Sequence, residues 1–167
     1  MIRFAQYGAL FIATILLQVL LFNNLSLGLF ITPLAYIAFV LLLPMNTPGI
    51  VTLLSALVSG VIIDISMGTA GLNTIAMLAV GYMRLPILYA LMGRDEVRAG
   101  GVPNSINLGG KRFMRYCIVM VLIQCMLFFG FEALTWNYFY LTLLRLVLSG
   151  VATIFFVYLI QLLFSYR

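Results

Sequence analysis

Histidine is missing altogether from this 167-residue chain, acids number only four, and charged residues of both signs make up 8%. Each shortage excludes something. Without histidine, the commonest general base and metal ligand is gone. With so little charge the chain cannot clothe itself for water, because soluble domains carry about 25% charged residues. The two cysteines, Cys117 and Cys125, stand eight positions apart in one apolar run, too far apart on a helix to bridge and with no metal-ligand spacing around them. They are expected to be reduced, buried small residues. Phosphate-cradling loops are missing as well, since the Gly-Gly pairs at 100–101 and 109–110 lack the Gly-Lys-Ser/Thr ending of a P-loop. Nor is there an Asp-rich metal motif of the kind membrane phosphotransferases use. No enzyme activity, cofactor or metal is therefore expected.

What is abundant is apolar side chain, 65% of the residues. Lipid must be the solvent, so the fold class is an all-α integral membrane protein. Apolar runs and breakers divide the chain into six spans, at about 4–22, 28–43, 48–67, 71–92, 113–133 and 138–164. The connections are short, so a single membrane domain is expected, with one polar segment at 93–112. The second span is the thin one. From Pro33 to Leu43 there are eleven residues, about 17 Å of helix against a hydrocarbon core of about 30 Å. Started at Gly28 it nearly crosses, kinked or broken at Pro33, and six crossings are expected; as a re-entrant segment it would leave five. The five glycines of segment 93–112 favour a flexible tether over the alternative, an ordered contact.

With six crossings, both termini and segment 93–112 share one side, which collects Arg3, Arg94, Arg98, Lys111, Arg112, Arg115 and Arg167. The positive-inside rule makes that side cytoplasmic. The formal charge of +5 then belongs to a rim beside anionic lipid, and no nucleic-acid partner is expected. Arg3 and the apolar run after it resemble a signal peptide, but the run is long and "FNNLSLG" offers no small-x-small cleavage site. An uncleaved first helix is expected.

Helix faces carry the rest. On the third span Ala56, Gly60 and Asp64 recur every four residues, flanked by Ser55 and Ser59, a face that lets another helix come close. Arg145, Ser149 and Ala152 form a second small and polar stripe on the sixth span. Ions within a bilayer are usually paired, and the depths are compatible with an Asp64–Arg145 or a Glu132–Arg145 contact. Gly60, Asp64, Asn73, Glu132 and Arg145 thus form a candidate cluster, either a structural pin between the outer halves of three helices or a periplasmic pocket or docking site. Arg84, thirteen residues into the fourth span and two before Pro86, is expected to be a buried donor. Its candidate acceptors are carbonyls freed by that proline, or Gln18 or Gln124. Ala5, Ala9 and Ala13 make a small-xxx-small face on the first helix, open to packing inside the bundle or against a partner helix.

The order of "LLQVLLFNN" (16–24), "PLAYIAFVLLLP" (33–44) and "GVIIDISMGTAGLNT" (60–74) resembles the rod shape-determining MreD family. That family shows a Leu-Leu-Gln-like end to its first helix and a Pro-led second helix. A Gly-x-x-x-Asp follows, and then a Leu-Gly-like pair opening the fourth. Here those positions are Leu16, Leu17 and Gln18; Pro33; Gly60 and Asp64; and Ala70, Gly71 and Leu72, with Ala70 departing from the leucine. The resemblance implies a non-catalytic scaffold subunit of the cell-wall elongation complex in the bacterial inner membrane. The partners it implies are an MreC-like periplasmic scaffold and, through it, MreB, a RodA-type polymerase and a class B penicillin-binding protein. The family is also similar in fold to the six-helix substrate-binding subunits of energy-coupling-factor transporters. By that analogy Ala5, Ala9 and Ala13 face a partner. It also leaves a solute-binding transporter subunit as the alternative, whose pocket would draw on Asn23, Asn24, Asp64, Asn73, Glu132, Trp136, Asn137 and Tyr138.

Overall fold

A computed structural model describes residues 2–22, 32–132 and 139–165, and all of its regular structure there is helical. In chain order the helices are α1 (Ile2–Leu16, continued by a π-helical stretch Leu17–Phe22), α2 (Ile37–Leu42), α3 (Gly49–Met67), α4 (Leu72–Met92), α5 (Arg94–Ala99), α6 (Ser105–Leu108), α7 (Gly110–Glu132) and α8 (Phe139–Ser165). Four of them, α3, α4, α7 and α8, are long and apolar enough to cross a membrane. At 19 to 27 residues they measure about 28–40 Å, which matches a bilayer core. Their outward faces are aliphatic: Ile50, Leu54, Val61 and Ile65 on α3, and Val147, Val151 and Leu163 on α8, all stand exposed. In lipid that exposure carries no hydrophobic penalty, so close packing and hydrogen bonds must hold the bundle.

The α3–α4 hairpin shows how small residues do this. A Cβ on Gly60 would stand 2.6 Å from the Cα of Thr74, and one on Gly81 would stand 3.1 Å from the Cβ of Ala56. The backbones meet because those atoms are absent. The turn between the helices needs left-handed backbone at Gly68 (φ 65°) and Gly71 (φ 85°), a conformation glycine adopts without cost. Gly60→Ala is expected to push the helices apart and cost about 1–3 kcal/mol. It should lower the unfolding midpoint of purified protein, whereas Gly130→Ala, which meets nothing within 4 Å, should not.

The second span is not helical at Pro33, the break that this proline allows. Its regular part is α2, six residues long, about 9 Å; Thr32 to Ala35 are not helical and residues 23–31 lie outside the described ones. Every residue from Pro33 to Leu43 is buried. This half-helix is therefore enclosed by the other helices rather than exposed to lipid. Irregular backbone is tolerated at membrane depth only under such cover.

Segment 93–112 is not the free tether its glycines suggested. It carries α5 and α6, buries Val97 and Leu108, and returns a backbone bond from Met45 N to Gly101 O at 2.8 Å. Asn104 caps α6 by accepting from Asn107 N at 2.7 Å, and Gln161 of α8 donates to Ser105 Oγ at 2.8 Å. Arg112 pairs with Glu96 at 3.2 Å. Four of the five glycines, Gly93, Gly100, Gly101 and Gly109, sit at positive φ. They shape turns between short docked helices.

Candidate functional site

Asp64 lies one turn from the C-terminus of α3, where the helix dipole disfavours an acid. The hairpin resolves this by bringing the N-terminus of α4 beside it. The N-cap of α4 is Gly71, which has no side chain to offer, and Asp64 takes that role from the neighbouring helix. Its Oδ1 accepts from Asn73 N (3.0 Å), Asn73 Nδ2 (3.0 Å) and Thr69 Oγ1 (2.5 Å). Its Oδ2 accepts from Thr74 N (2.9 Å) and Thr74 Oγ1 (2.5 Å). Five donors and no acceptor face the group, as suits a carboxylate. The Asp64 carbonyl also accepts from Thr69 N at 3.1 Å, closing the end of α3.

From this cap a polar chain runs into the bundle. Asn73, wholly buried, donates through Nδ2 to Thr69 Oγ1 at 2.9 Å and accepts at Oδ1 from Tyr36 Oη at 2.7 Å. Tyr36 in turn accepts from Gln124 Nε2 of α7 at 2.7 Å. The approach to α2 is held from two more helices. Gln18 donates to Pro33 O at 3.0 Å and accepts from Ala35 N at 2.9 Å. On α8, Ser149 Oγ accepts from Thr32 N at 3.0 Å and Thr153 Oγ1 from Leu34 N at 2.9 Å. Ser149 and Thr153 lie near the middle of α8, about 15–21 Å from its start, so the half-helix begins deep in the membrane layer.

Its other end is held by Arg84. This side chain is wholly buried and donates through Nη2 to the carbonyls of Leu43 and Pro44, while Tyr116 Oη donates to Leu41 O at 3.3 Å. The acceptors are thus the terminal carbonyls of α2, not those freed by Pro86 and not Gln18 or Gln124. Among the described residues, Nε and Nη1 of Arg84 have no hydrogen-bond partner, and no carboxylate pairs with it. The partial negative charge of the α2 C-terminus is what faces this cation.

The expected cluster therefore divides. Gly60, Asp64 and Asn73 come together, but Arg145 is not their partner; it pairs with Glu132 at 3.5 Å, the two side chains being about one-third to two-fifths exposed. An Asp64–Arg145 contact is corrected on this ground, and the other expected contact, Glu132–Arg145, is the one that forms; both oxygens of Asp64 are engaged by α4 and the turn. Ala9 and Ala13 face outward from α1, beside exposed Ile12 and Leu16; the side chain of Ala5 lies outside the described residues. So do Asn23, Asn24, Trp136, Asn137 and Tyr138 of the alternative pocket; of its other members, Asp64 and Asn73 are bonded to each other and Glu132 pairs with Arg145. Both cysteines are buried and free. Tyr36 and Thr153 were not singled out in the sequence, and the only signal for them was polarity inside an apolar run.

The chain matches no protein-family model, no curated protein and no solved structure. Its functional reading rests on these residues alone.

Proposed function

We propose that this chain is a non-enzymatic membrane scaffold subunit of the bacterial cell-wall elongation complex, of the MreD kind, supporting cell shape and sidewall peptidoglycan synthesis. The observation that carries the reading is a coincidence of two sets. Five of the positions that bear the family resemblance also hold the fold: Gln18 bonds Pro33 at the entry to α2, and Gly60, Asp64 and Gly71 build the α3–α4 hairpin, which reaches Tyr36 through Asn73. A family motif whose residues fix a fold suits a scaffold, which works by presenting surfaces. In this reading the chain lies in the inner membrane and crosses it six times, with both termini and segment 93–112 in the cytoplasm. The outward Ala9–Ala13 face of α1, with Ala5, meets a partner helix. The partners are an MreC-like scaffold and, through it, MreB, a RodA-type polymerase and a class B penicillin-binding protein.

Depletion of the chain in its own bacterium tests this. Rod-shaped cells are expected to round up and swell as sidewall synthesis stops. Cells that keep their shape and their rate of sidewall incorporation would sink the proposal, and co-purification with an ATPase pair would point to the transporter alternative instead.

A further inference from the structure

We infer that the outward face of the first three turns of α7 is a binding site for an anionic phospholipid. The inference requires only that α7 crosses the membrane. Three basic residues open this helix, and they are not equivalent. Arg112 turns to Glu96 of α5. Lys111 and Arg115, both exposed, have no acidic partner within salt-bridge distance among the described residues. They stand one turn apart on one face.

The side chains that continue that face inward are apolar and open: Met114 at 37% exposure, Ile118 at 39% and Leu122 at 42%. These five positions fall within about 100° of the helix circumference, and Leu122 lies about 16 Å below Lys111. One leaflet of hydrocarbon is about 15 Å deep. The stripe therefore has the polarity profile and the length of one phospholipid, with two cations at the head and an aliphatic track for the chain. Ile106, on α6 just before this helix, is 72% exposed at the same end of the bundle. An aliphatic side chain open at that level is suited to a bilayer interface and poorly suited to water. A soluble acidic partner would meet the cations but leave the track unused, so charge and shape together favour the lipid.

Native mass spectrometry of the full chain, released from nanodiscs of mixed phosphatidylglycerol and phosphatidylcholine, tests the site. The wild type is expected to retain phosphatidylglycerol in preference. Lys111→Gln with Arg115→Gln should weaken that retention by about tenfold. Arg94→Gln with Arg98→Gln removes the same charge from the same rim and should leave it unchanged. Equal loss in both double variants would mean a diffuse charge effect and overturn the site, as would no headgroup preference in the wild type. Displacement by soluble glycerol phosphate at matched concentration would overturn the role of the aliphatic track.

Discussion

Asp64→Ala is expected to cost about 3–5 kcal/mol, because it leaves several donors unpaired at about 1–3 kcal/mol for each buried one. The loss is large because the donors remain. Asn73 N and Thr74 N are the second and third amides of α4, with no partner inside their own helix. Without the carboxylate Asn73 N is left unpaired in a buried place and Thr74 N in a half-buried one. Asn73 then loses the contact that orients it toward Tyr36, so the damage passes along the chain to Gln124. Asp64→Asn should fall between the two: it keeps one acceptor oxygen for Oδ1's donors but presents an NH2 to Thr74 N. The buried thiols of Cys117 and Cys125 supply the readout, because a thiol-reactive dye reports their exposure as detergent-purified protein is heated. Wild-type melting behaviour in Asp64→Ala would show that Gly71 and the turn cap α4 unaided.

Arg84→Ala should be comparably severe, about 3 kcal/mol or more, through the void left by a wholly buried side chain and the loss of a charged donor to Leu43 and Pro44. Its conservative variants are more telling. Arg84→Met fills the volume and removes a cation that no carboxylate compensates. Replacing buried ions by apolar side chains of similar size is often nearly neutral, so Met should recover at least half of the loss. Arg84→Lys keeps a donor for the two carbonyls and should recover a similar share. If Met proved as damaging as Ala under the same thiol assay, the hydrogen bonds to α2, rather than packing, would be the dominant contribution.

The hairpin of α3 and α4 was legible in the sequence nearly to the residue: spans expected at 48–67 and 71–92 are Gly49–Met67 and Leu72–Met92. Prolines, left-handed glycines and long apolar runs act locally, so they can be read locally. Asp64 was legible as a group needing a partner, but the partner was not. Depth along a helix follows from counting residues, which made Arg145 compatible. Rotation about the helix axis depends on packing, and it turns Asp64 toward α4. The shape of the second span stayed open for a related reason. Eleven apolar residues after a proline fit a kinked crossing or a half-helix equally well, and the arbiters, Ser149 and Thr153, lie 117 and 119 positions along the chain. The order of segment 93–112 was not legible because glycine content signals conformational freedom, and the same freedom serves tight turns as well as flexible linkers.

That separation has a consequence for biogenesis. The amides of Thr32 and Leu34 acquire their acceptors only when α8 has entered the membrane. At about 5–20 residues per second, ribosomes need roughly 6–24 s to cover that length of chain. Through that interval the segment leading into α2 is already synthesised but has nowhere stable to settle in hydrocarbon. The nascent protein must therefore keep it in a polar refuge, such as the insertion machinery or the membrane surface, until α8 arrives to close the bundle over it.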